Sequence, residues 1–224
     1  ASKLYTYVYS TKSSGSDASD QFKIETIVFP EERDFLTGLR NGAWAGFSVG
    51  FDPVTVTQSK MGLSTDLKAD AYRYGIDAIW PKMSHLNEST AVNPLSQLDT
   101  RVKSIVDYPR RTRYTALSNQ IFDPKFVNNP QKQYEELVEL QAYQWMRFES
   151  LKNIKLMIKF PGNLDLYAGN GINVVIPATY KRNQTTEVDR KYSGKYVIGG
   201  LTHKIVGTTM STEALLLKDS IPRN

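Results

Sequence analysis

The sequence predicts a mainly β chain with one long helix, an α+β class whose body is an antiparallel β-barrel carrying an irregular insertion. Three observations predict it. Apolar and polar residues alternate in short runs near both ends of the chain, the period of a half-buried strand. One stretch, residues 130–151, has an apolar stripe at helical spacing. The runs after it are separated by Pro161-Gly162, Gly169-Asn170-Gly171 and Gly207-Thr208-Thr209, which are tight-turn sequences. A helix followed by four or five turn-linked strands closes most economically into a small barrel or sandwich, with the helix over an open end or edge.

In chain order, Leu4-Tyr5-Thr6-Tyr7-Val8-Tyr9 reads as a first strand and residues 11–20 as a polar, mobile loop. Phe22-Lys23-Ile24-Glu25-Thr26-Ile27 alternates cleanly as a second strand, stopped by Pro30. Residues 31–39 predict a short helix, and residues 44–56 a β-rich run interrupted at Asp52-Pro53. Residues 61–129 have weak periodicity and four prolines, Pro81, Pro94, Pro109 and Pro124, with one helix expected over 66–79. A long irregular segment of this kind is usually functional or partner-bound. Asn129 then caps a helix whose first residue is Pro130. Its stripe is Tyr134, Leu137, Val138, Trp145 and Phe148, and both Trp145 and Phe148 are expected to be buried. Ile154, Leu156, Ile158 and Phe160 form one face of a strand that ends in a type II turn at Pro161-Gly162. Ile172, Val174 and Ile176 line another strand, residues 180–193 read as a polar loop, and residues 195–206 and 212–217 are the last two strands.

Composition removes whole classes of chemistry. Cysteine is absent from the 224 residues, which excludes disulfides, thiolate metal sites and cysteine nucleophiles. Histidine occurs only at positions 85 and 203, too few for a three-histidine zinc centre. Apolar residues are 40% and charged residues 23%, close to ordinary globular chains. No stretch approaches the roughly 20 apolar residues of a membrane span. The net charge of +5 permits an anionic partner without requiring one. Ala1 leads almost directly into a strand, as expected of a piece of a longer protein.

No catalytic, cofactor or metal motif emerges. Gly162 to Gly171 lacks the lysine and following helix of a phosphate loop. Glu135, Glu136 and Glu139 read as a hydrated helix face. His203 reads as a partly buried structural residue sharing a face with Val197, Leu201 and Ile205. No strained Gly-Xaa-Ser-Xaa-Gly turn is present. The chain is expected not to be an enzyme and to need no cofactor. Two basic segments remain: Arg110, Arg111 and Arg113 beside Tyr114, and Lys181, Arg182, Arg190 and Lys191. Arginines next to a tyrosine could grip phosphates and stack on a base. Glu187 and Asp189 mix signs into the second segment, however, and mixed signs suit protein partners better than a phosphate backbone. Both segments are therefore read as exposed subunit-interface contacts.

Residues 131–218, taken in order, resemble the C-terminal portion of baseplate hub proteins of contractile-tailed bacteriophages. The likeness rests on the glutamine-rich helix, then Pro161-Gly162-Asn163-Leu164 with Leu166, Gly169, Val174 and Pro177, and then Tyr192-Ser193-Gly194-Lys195-Tyr196-Val197-Ile198 with His203. Gly42-Ala43-Trp44-Ala45 leading to Asp52-Pro53 looks like that family's preceding strand. The resemblance implies a barrel of the tail hub or tube type and a virion structural protein assembled in host cytoplasm. It implies three hub subunits in a ring joining tail tube to spike, with a homotrimer, the spike protein and adjacent tube or baseplate proteins as partners. No specific nucleic acid and no membrane are expected as partners. On this reading residues 1–41 are the remnant of a preceding β-rich domain, 42–60 with 130–218 form the barrel and helix, and 61–129 pack on the barrel or on a neighbouring subunit. The alternative is a small-barrel binding module for single-stranded nucleic acid or glycan.

Overall fold

The computed structural model describes residues 4–10, 18–34, 37–38, 41, 46–51, 73–75, 79–83, 111–117, 123–182 and 185–218. They form two compact units. One holds the described residues up to Arg33 and from Leu151 onward; the other holds those from Asp34 to Ser150.

The first unit is built on a seven-stranded sheet. Its strands are β1 (Tyr5–Tyr9), β2 (Lys23–Ile24), β3 (Thr26–Glu32), β7 (Ile154–Pro161), β8 (Gly171–Val175), β11 (Gly194–Val206) and β12 (Thr209–Lys218), in the order β2-β1-β8-β11-β12-β7-β3. The two edge strands are joined by Glu25 alone, whose backbone N–H donates to Lys159 O at 2.7 Å. Opposite edges of the sheet are thus consecutive in the chain, and the sheet nearly closes into a barrel. A strand with two occupied edges has no row of unpaired amides to expose. The interior is filled by Tyr7, Leu156, Ile158, Phe160, Ile172, Val174, Tyr196, Ile198 and Leu216, all essentially inaccessible. Burying each such side chain contributes about 1.5–3 kcal/mol before entropy is counted.

Several expectations change here. The sheet is mixed, not purely antiparallel: β1 runs parallel to both β8 and β2. The strands within residues 5–32 are part of this sheet. Pro30 does not end the second strand; it falls where the β3–β7 register shifts between Val28 and Glu31, a bulge where the missing N–H costs no ladder bond. Gly162 does not adopt the positive φ of a type II turn, among described glycines reserved to Gly169, Gly194 and Gly207. It extends the ladder instead, donating to Met210 O at 2.9 Å. The polar loop expected at 180–193 contains a hairpin of β9 (Pro177–Arg182) and β10 (Thr185–Val188).

The second unit packs a 21-residue helix, α1 (Pro130–Ser150), on a three-stranded sheet of β5 (Arg73–Gly75), β4 (Gly46–Phe51) and β6 (Arg111–Ala116), ordered β5-β4-β6. As predicted, Asn129 caps the helix, its Oδ1 accepting from Lys132 N at 3.1 Å. The buried stripe, however, is Tyr134, Val138, Ala142 and Met146, while Trp145 and Phe148 are 39% and 53% exposed. The helix has two apolar faces, and packing selects the one with the smaller residues. A Cβ built on Gly50 would lie 2.2 Å from Val138 Cγ2, so glycine there lets helix and sheet approach. β5 occupies three residues of the helix expected over 66–79; the remainder of that segment, apart from Ile79, lies outside the described residues. Glu31 and Glu32 are strand; helix is described within the expected segment only at residues 37–38, with Asp34 Oδ1 accepting from Thr37 N at 2.6 Å.

Candidate interaction surfaces

The two arginines described on β6 stand two positions apart and so share a face of the strand, yet their surroundings differ. Arg111 is exposed. Arg113 is drawn inward: its side chain keeps only 12% of its surface, lies 3.7 Å from the 8%-exposed Glu149 carboxylate, and donates to Asn41 O at 3.1 Å. Its guanidinium carbon sits 4.6 Å from the Trp145 ring centre, a cation–π contact. Burial pulls the Arg113 guanidinium below its usual value, and Arg111 adds to the shift. Tyr114 returns to solvent at 72% exposure. The expectation of an exposed basic run therefore holds for Arg111 and not for Arg113, while Arg110 lies outside the described residues.

The second basic segment is divided in the same way. Lys181 and Arg182 belong to the backbone of β9, and Arg190 is exposed in the turn after β10. Lys191 is exposed but paired within the chain: its ammonium donates to Glu32, which also accepts from Tyr192 Oη at 3.0 Å. Those bonds raise the Lys191 ammonium and hold the Glu32 carboxyl below the ordinary range. The turn itself is pinned by Asp189, whose Oδ1 accepts from Lys191 N at 2.8 Å and Tyr192 N at 3.1 Å. From beneath, the buried Lys218 donates to the carbonyls of Lys191 and Ser193, the latter at 2.9 Å. One lysine of the segment thus orders the barrel, leaving Arg190 facing solvent.

His203 is exposed, in contrast to the partly buried position expected. A bulge between Ile198 and Gly200 shifts the parity, so Tyr196 and Ile198 before it and Leu201 after it pack on the core; His203 shares the parity of Leu201 but lies well beyond Val197, where the β8 pairing ends. The His203 ring Nδ1 lies 2.9 Å from Thr212 Oγ1, the only contact that the fold makes to this ring among those described. Among the described residues, no three acidic or histidine side chains converge on a metal-sized site. No helix among them is long and apolar enough to cross a membrane.

Two surface features escaped the sequence reading. The first is a groove of about 590 Å³ along α1. Its apolar lining is Phe126, Leu137, Leu140 and Tyr143, and its charged lining is Asp123, Glu136 and Glu139 against Lys125. Lys125 pairs with Asp123 at 3.2 Å, and Lys82 pairs with Glu139. The sequence reads the acidic residues as a hydrated face; the second apolar face of the helix beside them is the available signal. The second feature is the tip of the β11–β12 hairpin. β8 pairs only with Gly194–Val197 of β11, and β7 reaches β12 only from Ser211 onward. Among the described residues β11 thus has no strand partner on its β8 edge beyond Val197, and beyond both limits only Ile205–Met210 and Val206–Thr209 pair, a short arm turning at Gly207 (φ 59°). Ile205 and Val206 at its end are 70% and 63% exposed.

Neither a protein-family model nor a curated protein matches the sequence. Among solved structures, the chain is similar to the tail protein from Neisseria meningitidis MC58, at 14% identity and a TM-score of 0.44. The similarity covers 97% of this chain and 45% of that one, so the chain spans less than half of that protein's length.

Proposed function

We propose that the protein is a structural component of a phage tail baseplate hub, a subunit of a ring that connects tail tube and spike. The observation that carries this reading is the near-closure of the sheet by the same residues that resemble the hub family. Phe160-Pro161-Gly162 enters the Met210 ladder, Gly169 makes the turn into β8, and Tyr196 and Ile198 fill the interior. A scaffold subunit needs rigid barrels and large surfaces for its neighbours, and it needs no bound group. In this role the partners are further copies of the chain, the spike protein and adjacent tube or baseplate proteins, in a virion assembled in host cytoplasm.

Negative-stain microscopy and sedimentation of the protein, alone and with its spike partner, test the reading. Ring-shaped particles are the expected result. A monomer at all concentrations that binds oligonucleotides with a steep salt dependence would overturn it in favour of a small-barrel nucleic-acid module. A monomer that binds glycan instead would overturn it in favour of the glycan form of that module.

A further inference from the structure

We infer that the tip of the β11–β12 arm is a docking element whose receptor is the α1 groove of a second copy of the chain. The inference names the contact that a self-assembling subunit requires, and so rests on the structural reading above.

The tip of the arm, beyond the last β7 pair at Ser211, presents Ile205 and Val206, both largely exposed. The formally charged residue nearest its tip is Lys204, with the carboxylate of Glu213 two residues further from the turn on the facing strand than Lys204's partner Ser211. An apolar tip beside a lysine fits a concave apolar surface with an acidic rim.

The groove on α1 has that character. Leu140 is 49% exposed on its wall, and three carboxylates stand against one lysine in the lining. Asp123 and Glu139 already have lysine partners, so the rim charge left for an incoming cation is the exposed Glu136. At about 590 Å³ the groove lies within the range of roughly 300–1,000 Å³ typical of sites that receive a compact ligand group. Ile205 and Val206 would cover Leu137 and Leu140, and Lys204 would lie against Glu136. The convex and concave partners are different surfaces of one chain, so the contact is heterologous. Such contacts propagate head to tail and close into a ring when the rotation permits.

Because the chain lacks cysteine, single thiols can be placed at will. Ile205→Cys chains are mixed with differently tagged Leu140→Cys chains under mild oxidation, and the mixed disulfide is followed over time. It should form at least about tenfold faster than with Leu164→Cys, a control at a 74%-exposed position that is not part of the groove lining. Adding Lys204→Glu to the first chain should slow the reaction, and adding Glu136→Lys to the second should restore it. Equal rates at both positions would overturn the inference. So would a chain carrying both thiols that closes on itself at every dilution, since the groove would then receive its own arm. Rings that assemble normally from Lys204→Glu chains would overturn this contact and leave the hub reading standing. Rapid cross-linking in a protein that never forms rings would keep the contact and reject the hub.

Discussion

Arg111 and Arg113 differ by two positions on one strand and by their entire surroundings. Replacing Arg113 with alanine leaves Glu149 buried without its cation and removes the stack on Trp145. We expect a loss of about 3 kcal/mol, the lower end for breaking a buried pair. Arg111→Ala should stay within about 0.5 kcal/mol. Denaturant unfolding of both variants checks the contrast, and equal effects would remove Arg113 from the interior of its unit. For the same reason, a test of assembly should reverse Arg111 and leave Arg113 in place, because loss of Arg113 disturbs folding first.

Two carboxylates on β3 give the barrel unit a dependence on acid. Glu31 accepts from Lys155 and Arg33, and Glu32 from Lys191 and Tyr192. These bonds hold both carboxyls below the ordinary glutamate value. A lowered carboxyl contributes stability that is complete above its unfolded value, about 4.3, and lost as pH falls through the folded one. The raised Lys191 works in the opposite sense. Its contribution is complete below the unfolded lysine value, about 10.4, and lost as pH rises through the folded one. Stability from these groups should therefore be flat through neutral pH and decline at both extremes. The double variant Glu31→Gln, Glu32→Gln should show a shallower acid decline in thermal melts between pH 6 and about pH 3. An unchanged acid limb would mean that these pairs do not act in solution.

At the scale of elements, two glycines make close approaches of different kinds. A methyl on Gly50 meets the branched Val138 at 2.2 Å on the helix, where neither backbone can easily yield. A methyl on Gly162 meets Met210 Cγ at 2.4 Å, and methionine can choose another rotamer. Gly50→Ala should therefore cost about 1–3 kcal/mol as overpacking, and Gly162→Ala distinctly less. Adding Val138→Ala should recover part of the first loss. Urea unfolding of the four proteins decides, and a Gly162→Ala cost equal to that of Gly50→Ala would contradict the model of a yielding Met210.

For the whole molecule, the barrel unit is assembled from both ends of the chain. Tyr7 is fully buried, its ring centre lies 4.3 Å from that of Phe160, and its hydroxyl accepts from Asn163 Nδ2 at 2.9 Å. Tyr7→Ala should cost about 3–5 kcal/mol. Deleting residues 1–33 should abolish protection from hydrogen exchange in β7 and β8, the strands that β3 and β1 cover. Retained protection there would show the N-terminal strands to be dispensable.

The elements that the residues specify locally are largely those observed. The Asn129–Pro130 helix start, the alternation from Ile154 to Phe160, the Gly169 turn and the Gly207 hairpin depend on neighbours a few positions away, so they are legible without the fold. Partners distant in sequence set the rest. The parallel insertion of β1 beside β8, the exposure of His203 beyond the end of β8, the choice of Ala142 and Met146 over Trp145 and Phe148, and the burial of Arg113 each depend on what stands opposite. The groove and the arm belong to this second group. Alternation identifies a strand, yet only the lengths of its neighbours decide where β11 and β12 leave the sheet and expose Ile205 and Val206.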